Sequence, residues 1–562
     1  MAKTTNRSFR LPAAKMPLAD HYGWSSVLIL VLSIMAVRLL MIAGANISLY
    51  GDEAQYWLWG KSLEFGYFSK PPMVAWLIRL TSSIFGDQEF GVRMGAPVVQ
   101  AVTALILYAA AREIFRGQER ASLAAHRTAL VYSLMPGVMV SGLVISTDVP
   151  LLCFWSLALL FVLRARRSNH WRDWLGLGLA LGLGLLSKYS MGLFILSLLI
   201  AAVVVREELS DNGAENGLRQ TNHLTLKNSR LWLAIGLGLL VYSPNLVWNI
   251  QHQMVSFRHT ASNAGTIGLQ LHPGHMGEFL LGQLAIFGPI SFILLLILIA
   301  TGMRRRKPQN APPNPRLAVG TARFLVIFIA PPLIFAMGVA LLNRANINWA
   351  AASYSAASLW LGWYFAVEFK DRPLFPRARL RYWLWVSVVI LGTMVGVTAG
   401  YYREIMQQLG IELTRRNDPL VRLGDGQRLG DAVLAQLLAE AKTSGTIPIL
   451  ATDDRMIFAT LAFYIRPPVA QVQFQSGPRP TDHFQMTNPM SGQRDAPMIF
   501  IARPEVLSGY NPSTSAREAM EVPEVLGYFA KHEAAGAITI PIHADYILYY
   551  RLYHLQHYLG EH

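Results

Sequence analysis

The chain has 562 residues, with 49 lysines and arginines against 34 aspartates and glutamates for a net charge of +15, yet only 15% is charged and 53% is hydrophobic. That balance excludes a disordered chain and an ordinary soluble enzyme. The single cysteine, Cys153, excludes an intrachain disulfide and a thiolate metal cluster.

Apolar runs long enough to cross about 30 Å of hydrocarbon as helix recur through the first 400 residues. In chain order they predict spans near residues 26–45, 91–111, 128–146, 149–163, 173–187, 190–205, 231–249, 279–302, 324–342, 347–367 and 382–402. The expected fold class is a polytopic α-helical membrane protein of about 11 to 13 transmembrane helices. Charge tests the count, because lysine and arginine accumulate in cytoplasmic loops. The tail and alternate loops hold 27 of them, for example Arg112, Arg116, Arg120 and Arg127, then Arg304, Arg305, Arg306 and Lys307. The opposite loops hold six: Lys61, Lys70, Arg79, Lys188, Arg258 and Arg344. This asymmetry places the N-terminus in the cytoplasm. The basic balance is therefore a matter of topology, and nucleic acid is not an implied partner.

The division that follows is a basic cytoplasmic tail over 1–25, a transmembrane domain over 26–402 with a first outer loop at 46–90, and a soluble domain over 403–562. In the last part, short strands such as "TIPILA", "QVQF" and "PMIFIA" alternate with helical patterns, which predicts a small extracytoplasmic α/β domain. The stretch "RRRKPQNAPPNP" reads as a cytoplasmic linker.

Ionisable groups outside the basic loops carry the functional signal. The first outer loop, "SLYGDEAQYWLWGKSLEFGYFSKPPMVAWLIRL", sets Asp52, Glu53 and Lys70 among Tyr56, Trp57, Trp59, Tyr67 and Phe68. It reads either as an interfacial aromatic belt or as a site for a lipid-linked phosphate. Asp148, in "STDVPLLCFW", stands where a span re-enters from the same side, as an N-cap or as a second site carboxylate. Lys188 reads more as a snorkelling anchor than as a second phosphate cation. Arg258 and His259 form a pair suited to a phosphate or an acidic sugar. His272, His275 and Glu278 have ligand-like spacing, but Pro273-Gly274 is expected to break the helix that would align them.

Together, "GDEAQYW", "GYFSKPPMVAWL", "STDVPLLCFW", "SPNLVWN", "FRHTASNA" and "NINWAAASY" resemble the dolichyl-phosphate-mannose protein mannosyltransferase superfamily over about residues 25–365. Within it the chain is similar to the bacterial branch of lipid A aminoarabinose transferases and rhizobial lipid A galacturonosyltransferases. The resemblance implies a GT-C fold and an inverting glycosyltransferase of the periplasmic face of the inner membrane. It implies transfer of a sugar from a polyprenyl-phosphate donor to a lipid A or lipopolysaccharide-core glycolipid. By motif, Asp52, Glu53 and Asp148 fall at catalytic positions, and Lys70, Tyr56 and Tyr67 at positions for the lipid phosphate, with Arg258 and His259 assigned there by composition of their loop. No metal and no other cofactor is required. A protein O-mannosyltransferase differs only in acceptor, and a lipid-linked sugar flippase is the alternative from another class.

Overall fold

The computed structural model describes residues 22–45, 47–205, 222–263, 271–302, 317, 319–366, 378–421, 425–475, 477, 479–490, 496–507 and 524–560. Most of the basic tail, the linker "RRRKPQNAPPNP" and the cluster at 367–377 lie outside them.

Helices come in chain order as α1 (Trp24–Gly44), α2 (Gly51–Trp59), α3 (Met73–Phe85), α4 (Glu89–Arg93), α5 (Gly95–Ile114), α6 (Ala121–Ser133), α7 (Pro136–Ser141) and α8 (Asp148–Ser168). There follow α9 (Trp171–Ser187), α10 (Gly192–Val204), α11 (Ser229–Gln251), α12 (Val255–Asn263), α13 (Pro273–Phe287), α14 (Pro289–Gly302), α15 (Val319–Leu342), α16 (Ser353–Ala366) and α17 (Ala378–Gln408). Among the described residues, six helical stretches are long and apolar enough to cross a membrane, with α4 running on into α5. The chain is a multi-pass membrane protein.

Two of the expected spans are interrupted. The run 128–146 divides into α6 and α7 at Met135-Pro136, where proline removes a backbone donor and opens a new helix. The run 279–302 bends by 110° between α13 and α14. There Gly288 takes φ +89°, open to glycine at little cost, and Pro289 starts the next helix. The expected reading of Pro273-Gly274 also needs correction. These residues begin α13, as proline suits a first helical turn, and do not break it. The rings of His272 and His275 lie 4.9 Å apart, yet no group of three potential metal ligands comes together among the described residues.

The loop over 46–90 is itself structured as α2, α3 and α4. Asn245 on α11 donates to the Phe65 carbonyl at 2.6 Å, and Trp248 donates to Glu64 while its ring covers Gly66. A Cβ on Gly66 would lie 2.5 Å from that ring, so the close approach requires glycine. The motif "SPNLVWN" thus holds the loop in place.

After α17 come α18 (Gly426–Ser444), β1 (Ile449–Thr452), α19 (Arg455–Tyr464), β2 (Gln471–Gln473), α20 (His483–Thr487), β3 (Met498–Ile501), β4 (Glu505–Leu507), β5 (Phe529–His543) and β6 (Tyr546–Tyr558). Strands β2, β1 and β3 run parallel in that spatial order. The β5–β6 hairpin closes the sheet antiparallel, with β3 and β4 along one edge of β6. This is the expected α/β unit. It shares a core with α2 and α3: Tyr56, Trp57 and Trp59 pack with Phe458, Phe463, Tyr464 and Phe484. Each large side chain buried there contributes about 1.5–3 kcal/mol. The Tyr464 hydroxyl also accepts from the Leu49 N–H at 2.7 Å and donates to Glu89 at 3.0 Å.

Candidate active site

Asp52 lies in the first turn of α2, and Glu53 beside it faces another way, about 100° round the helix. The Glu53 side chain is buried and forms a 2.7 Å ion pair with Arg93. It also accepts from the backbone N–H groups of Tyr50 and Ile145, both at 3.0 Å. Arg93 in turn donates to the carbonyls of Ile47 and Ser48. The pair thereby binds the chain entering α2 to the chain entering α8. The structure gives Glu53 this fastening position and not a place beside Asp52, because every approach to its carboxylate is filled by these donors.

Asp148 opens α8 and makes no cap. Its carboxylate accepts from Lys188 at 2.7 Å and from Asn348 at 2.6 Å. Lys188 is consequently held in an ion pair, not extended as an anchor. Asn348 follows Ile347, which packs against Gly282 on α13, so the motif "NINWAAASY" places an amide on Asp148.

Lys70 stands at the end of a turn in which the Tyr67 N–H donates to the Lys70 carbonyl at 3.1 Å. Pro71 biases Lys70 towards extended backbone, and Pro72 caps α3. Its ammonium makes no hydrogen bond or ion pair among the described residues. Burial, and then the neighbouring Lys188 charge, lower its pKa below that of ordinary lysine, with Asp52 and Asp148 opposing the shift. Burial, then Lys70 and Arg455, likewise lower the pKa of His259. Tyr56 is buried within the fields of Asp52, Asp148 and Arg455, and burial together with Asp52 pushes its pKa well up. Asp52, Tyr56, Lys70, Asp148, Lys188 and His259 therefore form one electrostatic set.

Besides Glu53, two residues of the sequence reading fall outside it. The Tyr67 ring stacks on Trp59 at 4.7 Å, and its hydroxyl donates to the Trp59 and Ser62 carbonyls. Its polar end is engaged in shaping the loop. Arg258, one residue before His259 on α12, is exposed.

A further residue joins the set and has no counterpart in the sequence reading. Arg455, first residue of α19, reaches Asp52 at 3.1 Å and also donates to Gln55. Asp454 caps α19 by accepting from the Met456 and Ile457 N–H groups, which fixes where that arginine begins. The C-terminal sheet domain thus reaches the site through a residue 403 positions from its partner. Chemically, the set offers carboxylates able to take a proton and a partly buried cation, unpartnered among the described residues, able to meet an anionic leaving group.

Residues 69–248 match the dolichyl-phosphate-mannose-protein mannosyltransferase family, the stretch that carries Lys70, Asp148 and Lys188. Over that stretch the chain is similar to this glycosyltransferase family. It is 28% identical over 454 residues to lipid A galacturonosyltransferase RgtD of Rhizobium johnstonii, covering 78% of this chain and 83% of that one. It is 35% identical over 137 residues, 24% of either chain, to an undecaprenyl phosphate-alpha-4-amino-4-deoxy-L-arabinose arabinosyl transferase of Pseudomonas aeruginosa. The crystal structure of ArnT from Cupriavidus metallidurans in the apo state matches 94% of this chain and 98% of its own, with a TM-score of 0.58 at 14% identity. That likeness establishes the GT-C fold, sheet domain included.

Proposed function

We propose that this glycosyltransferase moves a sugar from a polyprenyl-phosphate donor to a hydroxyl of a lipid A-type glycolipid, at the periplasmic face of a bacterial inner membrane. The observation that carries this reading is the Lys70 ammonium, half-buried, unpartnered among the described residues and flanked by Asp52 and Asp148. The chain's similarity to a lipid A galacturonosyltransferase over most of both lengths supports the acceptor class. Similarity to undecaprenyl-phosphate-dependent transferases supports the donor class.

In the proposed reaction the acceptor oxygen attacks the anomeric carbon and its proton passes to Asp52. The bond between that carbon and the lipid phosphate oxygen breaks, and the phosphate departs with the electron pair. Lys70 meets the charge that develops there, in surroundings where an ammonium acts more strongly than in bulk water. His259, kept neutral by its surroundings, and the Tyr56 hydroxyl offer uncharged hydrogen bonds to the same group. Asp148 holds Lys188 beside Lys70, adding to the positive field. Glu53 and Arg93 position both carboxylate-bearing loops. Attack opposite the departing phosphate inverts the anomeric centre.

The reading is tested by expressing the chain in a Gram-negative host that makes the donor, and recording mass spectra of its lipid A. A sugar-sized mass increase that disappears in Lys70→Ala at equal membrane levels supports it. Unchanged lipid A with sugar appearing on periplasmic proteins assigns a protein acceptor instead.

A further inference from the structure

The C-terminal sheet has the strand order β2-β1-β3, all parallel. From β1 the chain crosses through α19 to β2 on one side, then returns through α20 to β3 on the other. Between β1 and β3 the direction of winding therefore reverses. In open α/β sheets the crevice beyond the carboxyl ends of strands at such a switch point is where ligands bind. Here that edge carries Asp453-Asp454-Arg455 after β1 and Ala502-Arg503 after β3.

The edge is not turned to empty solvent. Arg455 on it reaches Asp52 of the membrane bundle at 3.1 Å. Only Nη1 of Arg455 is engaged, with Asp52 and Gln55, so among the described residues its remaining donors have no partner. Arg503 is 65% exposed, and its Nε stands 3.7 and 3.6 Å from the carboxylates of Asp453 and Asp454, beyond good hydrogen-bond length. Among the described residues its one hydrogen bond, from Nη2 to the Asp453 carbonyl, is 3.3 Å long. Two guanidinium groups with open donors thus stand at this strand edge, Arg455 in contact with the candidate base and Arg503 against the neighbouring Asp453 and Asp454. A planar fork of this kind suits an oxyanion.

We propose that this edge is the acceptor subsite, where Arg503 and the open donors of Arg455 hold an oxyanion, phosphate or carboxylate, of the glycolipid headgroup and so deliver its hydroxyl to Asp52. The proposal rests on the transfer reaction proposed above and adds to it a task for the sheet domain. Lys70 serves the donor's phosphate, and the arginines of the sheet serve the acceptor's anion. The two substrates enter from different structural units that meet at Asp52.

The test uses the full chain in nanodiscs with three acylated glucosamine disaccharides: one phosphorylated, one carrying a carboxymethyl group at the same position, and one neutral. For the acceptor whose anion is read, Arg503→Gln should raise KM about tenfold, the loss of one charge-assisted hydrogen bond. It should leave kcat and the donor KM unchanged, and Arg503→Lys should recover part of the loss. With the neutral lipid, wild type and variant should coincide. Whichever anionic lipid shows the difference names the source of the oxyanion. Equal KM for wild type and Arg503→Gln on both anionic lipids, or an equal rise on the neutral one, overturns the proposal. If the wild type transfers no sugar to any of them, the reaction assignment fails, and equilibrium binding of the same lipids decides the subsite. Arg503-dependent preference for an anionic lipid sustains it, and indifference overturns it.

Discussion

Two ion pairs frame the candidate site, and they differ in one respect that decides what each can do. Lys188 and Asp148 meet at 2.7 Å with side chains 16% and 9% exposed. Arg455 and Asp52 meet at 3.1 Å, 39% and 35% exposed. The first pair is a dry floor, formed within the bundle and reinforced by Asn348. The second is a wet mouth, formed between bundle and sheet domain. Coulomb attraction at similar distances is screened in the second and much less in the first. A buried pair therefore fixes geometry, whereas an exposed pair can exchange partners with substrate at small cost.

The largest effect should come from breaking the floor. Lys188→Ala strands the Asp148 carboxylate with Asn348 alone, which costs about 3–5 kcal/mol when a buried partner is removed. Thermal unfolding in nanodiscs should show a clear fall in Tm, and an unchanged Tm would remove the distinction between floor and mouth. Next, Lys70→Ala should cut kcat about 10²–10³-fold, as loss of one preorganised charge does. Its Tm should hold or rise, because the ammonium removed is half-buried and leaves no partner behind among the described residues.

A smaller effect lies in pH. The lowered Lys70 pKa means that its charge is present at low pH and is lost, as pH rises, earlier than for a free lysine at about 10.4. The alkaline limb of kcat/KM, which reports the free enzyme, should accordingly fall below that value. A limb at or above it would show that Lys70 does not govern the rate. Smallest of all, Arg455→Gln should shift stability by no more than about 1 kcal/mol, since both partners are more than a third exposed. A large fall in Tm would make the mouth a structural bolt.

The same contrast explains what could be read from the sequence. The bundle and the pairing of Asp52 with Lys70 in one loop were legible because hydropathy and local spacing report them directly. Breaks at Pro136 and at Gly288-Pro289 were hidden inside runs whose apolar composition continues on both sides, although the proline signal was present. Glu53 could not be told from Asp52 without Arg93, an arginine standing just inside a predicted span, where an ionisable group calls for a partner. Asn348 carried a signal in "NINWAAASY" but no indication of Asp148, 200 residues away. Arg455 had no local signal, since only the docking of α19 on α2 brings it to the site. Residues 1–21, with their basic cluster, lie outside the described residues.

The proposed reaction stands on one step, the cutting of a sugar from a polyprenyl phosphate at Lys70 and Asp52. It is tested most directly with purified chain in nanodiscs, a donor labelled in its sugar, and mass spectrometry of both products over a single turnover. Glycosylated acceptor and freed polyprenyl phosphate should appear in equal amounts, with both lost together in Lys70→Ala and Asp52→Asn. Intact donor that moves between leaflets without cleavage, at rates those substitutions do not change, would contradict it.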